Sequence, residues 1–140
     1  MTLEKDRGTR DYLYGRLLAF ADHIESYALY LAEERRDTAA SRLMQRFSDR
    51  PFSTWKTLET QLVPYLSRVR SRRPGYAAFI ANEMDQIFSH FKSDEFTNDS
   101  ALSGEFLLGF HCQRRELRQG QKENEQVGND SNQANNLEEK

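Results

Sequence analysis

Apolar side chains recur every three or four positions through most of this chain, which is the spacing of one face of an α-helix. The first such segment covers residues 10–36 and contains no proline. Its apolar face consists of Leu13, Leu17, Phe20, Ile24, Tyr27, Ala28 and Leu31. About 27 residues that rise 1.5 Å each reach about 40 Å, so the pattern predicts one long helix that spans the domain.

Two shorter helices are expected to follow. Asp37 is the predicted N-cap of the first, because its carboxylate can accept hydrogen bonds from the free amides of the next turn. That helix ends near Pro51. The next one covers residues 52–69, with Pro64 inside its pattern. Since proline lacks an amide donor and its ring clashes with the preceding turn, a kink or a break is expected just before it.

The pattern continues to residue 119. Residues 70–75 read Arg-Ser-Arg-Arg-Pro-Gly, which predicts an exposed basic connector. A fourth helix is expected over residues 76–91, then a loop over residues 92–100 and a fifth helix over residues 103–119. Ser103 is the predicted N-cap of that last helix.

These elements predict an all-α fold, a compact bundle of about five helices with a long first helix. The expected organisation is a flexible N-terminus at residues 1–8, a helical bundle domain at residues 9–118 and a disordered acidic and polar tail at residues 119–140. Too few apolar side chains follow Gly120 to offset the entropy cost of ordering the tail. They are Val127, Ala134 and Leu137.

The bulk composition limits the class of protein. With 140 residues the chain can form one modest core. No apolar run approaches the ~20 residues of a membrane-spanning helix, and the first residues lack the apolar stretch of a secretory signal. We therefore expect a cytoplasmic protein with no membrane partner. The single cysteine, Cys112, excludes an intramolecular disulfide and a cysteine-based zinc site.

Basic side chains are concentrated in the middle third of the chain. Residues 35–73 carry ten basic and three acidic side chains, a net charge of +7, whereas the whole chain has a net charge of −2. Nine of the ten are arginine, whose planar guanidinium suits phosphate better than lysine does. This segregation indicates a polyanion partner. The candidate nucleic-acid-binding residues are Arg35, Arg36, Arg42, Arg46, Arg50, Lys56, Arg68, Arg70, Arg72 and Arg73, together with Arg114 and Arg115 on the last predicted helix.

Two alternatives to this interpretation stay open. Arginines also cover the solvated faces of helical proteins that bind no nucleic acid. Aromatic residues at helical spacing are more often part of the core than a surface on which bases stack. Trp55, Tyr65 and Tyr76 lie beside the basic block, so they are the candidates for stacking on single-stranded nucleic acid.

The sequence contains no arrangement that predicts catalysis, a cofactor or a metal site. His23, His90 and His111 are far apart, and no two have the four-residue spacing of a helical zinc site. Cys112 directly follows His111, but adjacent helical residues point about 100° apart, so the histidine cannot act as its base. We expect Cys112 to be packed within its helix and the protein not to be an enzyme.

Three stretches of the chain carry a family resemblance. They are LAEERRDTA at residues 31–39, RPFSTW at residues 50–55 and LSGEFLLGFHCQR at residues 102–114. Together they resemble the C-terminal helical region of the large subunit of the type I-C CRISPR interference complex, Cascade. The resemblance covers residues 9–118. In that family the same region is also made as a separate small subunit from an internal start, and a 140-residue chain that opens with Met1 is similar to that product.

The resemblance implies a non-catalytic small subunit that stabilises the guide RNA–target DNA duplex and the displaced strand during R-loop formation. Its expected partners are the backbone and large subunits of Cascade, neighbouring copies of itself, guide RNA and target DNA. In such complexes base pairing reads the sequence, and protein contacts hold the backbone. The alternative is a helical adaptor that binds an acidic protein surface without contacting nucleic acid, because it too requires exposed arginines.

Overall fold

A computed structural model describes residues 2–120 of the chain. Within this range it contains six helices and no β-strand, which confirms the all-α class. The helices are α1 (Arg10–Leu31), α2 (Ala39–Arg42), α3 (Met44–Asp49), α4 (Pro51–Arg72), α5 (Pro74–His90) and α6 (residues 105–120). The predicted disordered tail lies outside the described residues, except that residues 119 and 120 belong to α6.

Helix α1 is the centre of the bundle. Every residue from Tyr12 to Ala21 is buried, so the helix is surrounded by others instead of packing on one face. Helices α2, α4 and α5 contact it, and α6 crosses it at Gly15. The predicted apolar stripe is confirmed, but positions outside that stripe, including Arg16, are buried as well. The central position of the first half of α1 explains this, because that half has neighbours on all sides and no solvated face.

Aromatic side chains fill the core around the first half of α1. The ring centroid of Tyr14 lies 5.7 Å from that of Phe47, 5.1 Å from that of Phe91 and 5.7 Å from that of Phe96. Its hydroxyl donates a hydrogen bond to the carbonyl of Phe96. Burial raises the pKa of Tyr14 well above its ordinary value. These contacts anchor the segment between α5 and α6 to the central helix.

The same segment also caps α4. Asp99 Oδ1 accepts the backbone N–H groups of Phe52 and Ser53, each at 3.0 Å. Hydrogen bonding, chiefly to the Ser53 side chain, lowers the pKa of Asp99. A carboxylate at this position also interacts favourably with the positive end of the helix dipole. Residues 92–100 contain no helix, which confirms the predicted loop, and Asp99 within it fixes the start of α4.

Helix α1 ends at Leu31, several residues earlier than predicted. The N–H of Glu34 donates to the carbonyl of Leu29 at 2.9 Å, and that of Glu33 donates to the carbonyl of Tyr30 at 3.1 Å. With Glu33 at a φ of 58°, these bonds form a Schellman motif. The sequence did not reveal this end because a glutamate occupies the left-handed position that glycine usually marks.

Replacing Glu33 by glycine is expected to stabilise the protein by about 1 kcal/mol. A side chain in the left-handed conformation costs about this much, and glycine avoids the cost. Urea unfolding of the two proteins measures the difference. Glu33→Ala keeps the strained backbone and should resemble the parent, so a glycine variant no more stable than the alanine variant would contradict this account.

The segment after α1 forms two short helices where one was predicted. Thr38, and not Asp37, is the N-cap of α2, because Thr38 has the extended backbone of a cap and its hydroxyl accepts the N–H of Ser41 at 3.1 Å. The N–H of Ala39 donates to Oε1 of Glu25 at 2.9 Å. The helix therefore begins one residue later than the sequence indicated.

A kink or a break was predicted before Pro64; helix α4 is continuous through this residue, which excludes the break. Thr60, whose carbonyl loses its amide partner at the proline, is exposed, and water can satisfy that carbonyl. The predicted basic connector is also shorter than expected. Helix α4 runs to Arg72 and α5 begins at Pro74, which leaves Arg73 as the single residue between them.

The N-terminal segment, which was predicted to be a flexible terminus, contacts α1 and α6. Residues 2–9 contain no helix. Arg7 pairs with Glu4 at 2.9 Å and with Glu105 of α6 at 3.1 Å. The Tyr12 hydroxyl accepts the backbone N–H of Glu4 at 3.0 Å. The segment therefore joins α1 to the start of α6.

Candidate nucleic-acid interface

Six of the twelve candidate basic residues belong to α4 or directly flank it, and the others lie on α2, on α3, on α6 and between α1 and α2. Arg68 and Arg114 are half-buried, and the other ten candidates are exposed. Arg50 directly precedes α4, whereas Arg73 directly follows it. A helix of 22 residues is about 33 Å long. These arginines therefore mark opposite ends of an elongated surface and cannot all contact one phosphate.

Two arginines hold the segment between α1 and α2. Arg36 Nη1 lies 3.1 Å from Oε2 of Glu25, whose side chain is 2% exposed. The Arg36 guanidinium also donates to the hydroxyl of Tyr65, and this bond is the largest cause that raises the pKa of Arg36. Arg42 Nη1 donates to the carbonyl of Asp37 at 2.7 Å. Because a buried carboxylate requires a partner, Arg36 has a structural role.

Arg68 and Arg72 bind the C-terminal end of α1. Arg68 Nη1 donates to the carbonyl of Ala28 at 3.0 Å, and Arg72 Nη2 donates to that of Leu31 at 3.2 Å. Carbonyls in the last turn of a helix lack intrahelical partners and carry the negative end of its dipole. These two arginines therefore stabilise the end of α1.

Two further candidates have weaker contacts. Lys56 Nζ lies 4.0 Å from Oε2 of Glu59, and both side chains are more than half exposed. Exposed pairs of this kind contribute little, so Lys56 remains available to a partner. Arg114 Nε lies 3.9 Å from Oδ2 of Asp22, and its guanidinium lies 5.8 Å from the ring centroid of Phe110.

The remaining candidates make no ion pair or side-chain hydrogen bond with another residue of the described range 2–120. They are Arg35, Arg46, Arg50, Arg70, Arg73 and Arg115. Among them, Arg70 and Arg73 lie together where α4 meets α5. The guanidinium groups of this pair are among those available to an anion.

The three aromatic residues predicted to stack on bases contact other side chains of the protein. Trp55 is 2% exposed and packs against Phe88, so it is a core residue and the stacking hypothesis is wrong for it. The ring centroid of Tyr65 lies 5.4 Å from the guanidinium carbon of Arg36. Tyr76 is half-buried, and its hydroxyl lies 2.6 Å from Nε2 of His23.

Two aromatic residues that the sequence analysis did not select are exposed instead. Tyr30 in the last turn of α1 is 64% exposed, and Phe79 in α5 is 49% exposed. Each lies at helical spacing from buried positions of its own helix. Spacing alone therefore could not separate these rings from the core.

The groups considered for catalysis are separated. Cys112 is buried, as predicted for a packed helical cysteine, whereas His111 is exposed. His23 lies in the core beside Tyr76. Within residues 2–120, no three histidine, cysteine, aspartate or glutamate side chains are placed to hold a metal ion.

The fold and this surface define a class, a small helical protein with a central buried helix and exposed arginines at both ends of its fourth helix. The family of CRISPR-associated proteins called Cas_Csd1 matches residues 1–118, and the chain belongs to that family. Its role is therefore CRISPR-associated. The comparison with curated proteins gives no match. None of the helices described here has the length and apolar character required to cross a membrane.

Proposed function

We propose that this chain is a non-catalytic small subunit of a type I-C Cascade complex. In this proposal it binds the guide RNA–target DNA duplex and the displaced DNA strand, beside the backbone and large subunits and neighbouring copies of itself. Membership of the CRISPR-associated family supports a role in such a complex. The resemblance of residues 9–118 to the C-terminal region of the type I-C large subunit supports the particular subunit.

The arginine pair at the α4–α5 junction is the observation that carries the proposal. Arg70 and Arg73 are exposed, and neither pairs with another residue between 2 and 120. Because both side chains are exposed and unpaired within that range, their guanidinium groups are available to a phosphate backbone.

The double variant Arg70→Glu/Arg73→Glu is expected to bind single-stranded DNA much more weakly than the parent and to melt at the same temperature. Each lost phosphate contact lowers the slope of log affinity against log salt by about 0.7, so the two together should lower it by about 1.4. Fluorescence anisotropy of a labelled oligonucleotide at several salt concentrations measures both the affinity and the slope.

A charge-matched control separates a local contact from the loss of net charge. Lys92→Glu/Arg118→Glu makes the same change in charge at exposed positions outside the predicted set, and it should retain most of the binding. Equal losses of affinity in the two double variants would show that net charge, and not a local contact at Arg70 and Arg73, determines binding. A parent protein that does not bind DNA in a salt-dependent manner would favour the adaptor hypothesis.

A further inference from the structure

Tyr30 lies in an open depression at the end of α1. Its side chain is 64% exposed, although it belongs to a helix that is otherwise mostly buried. The depression has a volume of about 560 Å³ and is lined by Ser26, Leu29, Tyr30, Glu33, Glu34, Arg35 and Arg36. An exposed aromatic ring beside arginine is the combination that holds single-stranded nucleic acid without reading its sequence.

The ring of Tyr30 is supported from behind by other aromatic rings. Its centroid lies 6.1 Å from that of Tyr27, which lies 5.1 Å from that of Tyr76. Tyr76 is fixed in turn by its hydrogen bond to His23. Tyrosine has few rotatable bonds, and this packing restrains them further, so little conformational entropy is lost when a base covers the exposed face.

The two arginines that line the depression differ in whether another residue already pairs with them. Arg36 is engaged by Glu25, whereas Arg35 has no ion pair with a described residue. Glu33 and Glu34 line the same depression and repel phosphate. A bound strand is therefore expected to place its phosphate on the Arg35 side and its base over the ring.

We propose that Tyr30 stacks on a base of single-stranded DNA while Arg35 contacts the adjoining phosphate. The inference rests on the proposed function, because it assigns a base-stacking residue to the same nucleic-acid interface. It adds an attachment point at the far end of α1, near the carbonyls held by Arg68 and Arg72.

Phe79 provides a matched control. It is 49% exposed and contacts Tyr76, so it belongs to the same row of rings. However, it faces a groove of about 550 Å³ whose charged residues are Lys5, Glu83 and Glu116. Lys5 already lies 3.9 Å from Glu83. No arginine lines this groove and its lysine is already paired, so an exposed ring there has no cation beside it to hold the adjoining phosphate.

The test measures binding of the full chain to an oligothymidylate probe. Tyr30→Leu keeps an apolar side chain but removes the ring, and it should weaken binding about fivefold or more, the effect of losing one stacked base. Tyr30→Phe should bind like the parent, and so should Phe79→Leu. The salt slope should stay unchanged in all three variants, because none of them removes a phosphate contact.

The outcomes distinguish this inference from the proposed function. If the parent binds the probe in a salt-dependent manner and Tyr30→Leu binds equally well, the stacking role is overturned while the proposed function stands. If Tyr30→Leu binds DNA normally but no longer enters the assembled complex, the ring contacts protein and the inference is again overturned. Absence of salt-dependent binding by the parent would overturn both.

Discussion

Gly15→Ala is expected to destabilise the bundle by about 3 kcal/mol or more, or to prevent folding altogether. Helices α1 and α6 cross with their backbones in contact at this residue. A Cβ atom on Gly15 would overlap the carbonyl oxygen of Phe106 and lie 2.7 Å from the amide nitrogen of Phe110. Both are backbone atoms, so the clash can be relieved only by moving a whole helix, and overpacking of this kind is strongly destabilising.

On the α6 side of the crossing, Gly109→Ala is expected to destabilise the bundle in the same way. A Cβ atom on Gly109 would overlap the carbonyl oxygen of Tyr12 and lie 3.1 Å from its carbonyl carbon. Gly75→Ala is the control, because its Cβ atom would have no neighbour within 4 Å and alanine favours a helix over glycine. Circular dichroism and urea unfolding compare the three variants. If Gly15→Ala unfolded like Gly75→Ala, helices α1 and α6 could not be in the close contact described.

The helices could be predicted because apolar spacing is a local property of the chain. The ends of the helices depended on details that spacing does not contain. Glu33 ends α1 in a backbone conformation that usually indicates glycine, and Thr38 caps α2 where the neighbouring Asp37 is an equally good candidate. The proline in α4 follows the exposed Thr60, whose carbonyl loses its amide partner and can bind water instead.

For the basic surface, the sequence could predict how many basic residues the middle of the chain carries, but not which of them are available to a partner. Which arginines are committed to the fold depends on partners distant in sequence, as with Arg68 and the carbonyl of Ala28. The same limit applies to the aromatic residues. Trp55 is a core residue and Tyr30 is exposed, but both have helical spacing from apolar neighbours. Only the packing of α1 against α4 decides which of them faces solvent.

A buried histidine makes the stability of the protein sensitive to acid. His23 is 9% exposed, and its ring packs against those of Tyr27 and Tyr76. Burial lowers the pKa of His23 to about 4, and the charge of Asp22 opposes this only in part. Burial also raises the pKa of Tyr76 to about 12, so the hydroxyl beside the imidazole stays neutral across the ordinary pH range.

The free energy of unfolding is expected to fall by about 2 kcal/mol between pH 7 and pH 5. In the unfolded chain His23 has its ordinary pKa of about 6.5 and takes up a proton first, whereas the folded protein resists protonation until about pH 4. The stabilisation is therefore complete above pH 6.5, is lost as the pH falls toward 4, and does not decrease further below that value. His23→Gln can still bond to Tyr76 but cannot titrate, so its unfolding free energy in urea should change much less over this interval. His90 and His111 are exposed in the folded protein and remain in that variant. An equal loss of stability in His23→Gln would assign the acid sensitivity to other groups.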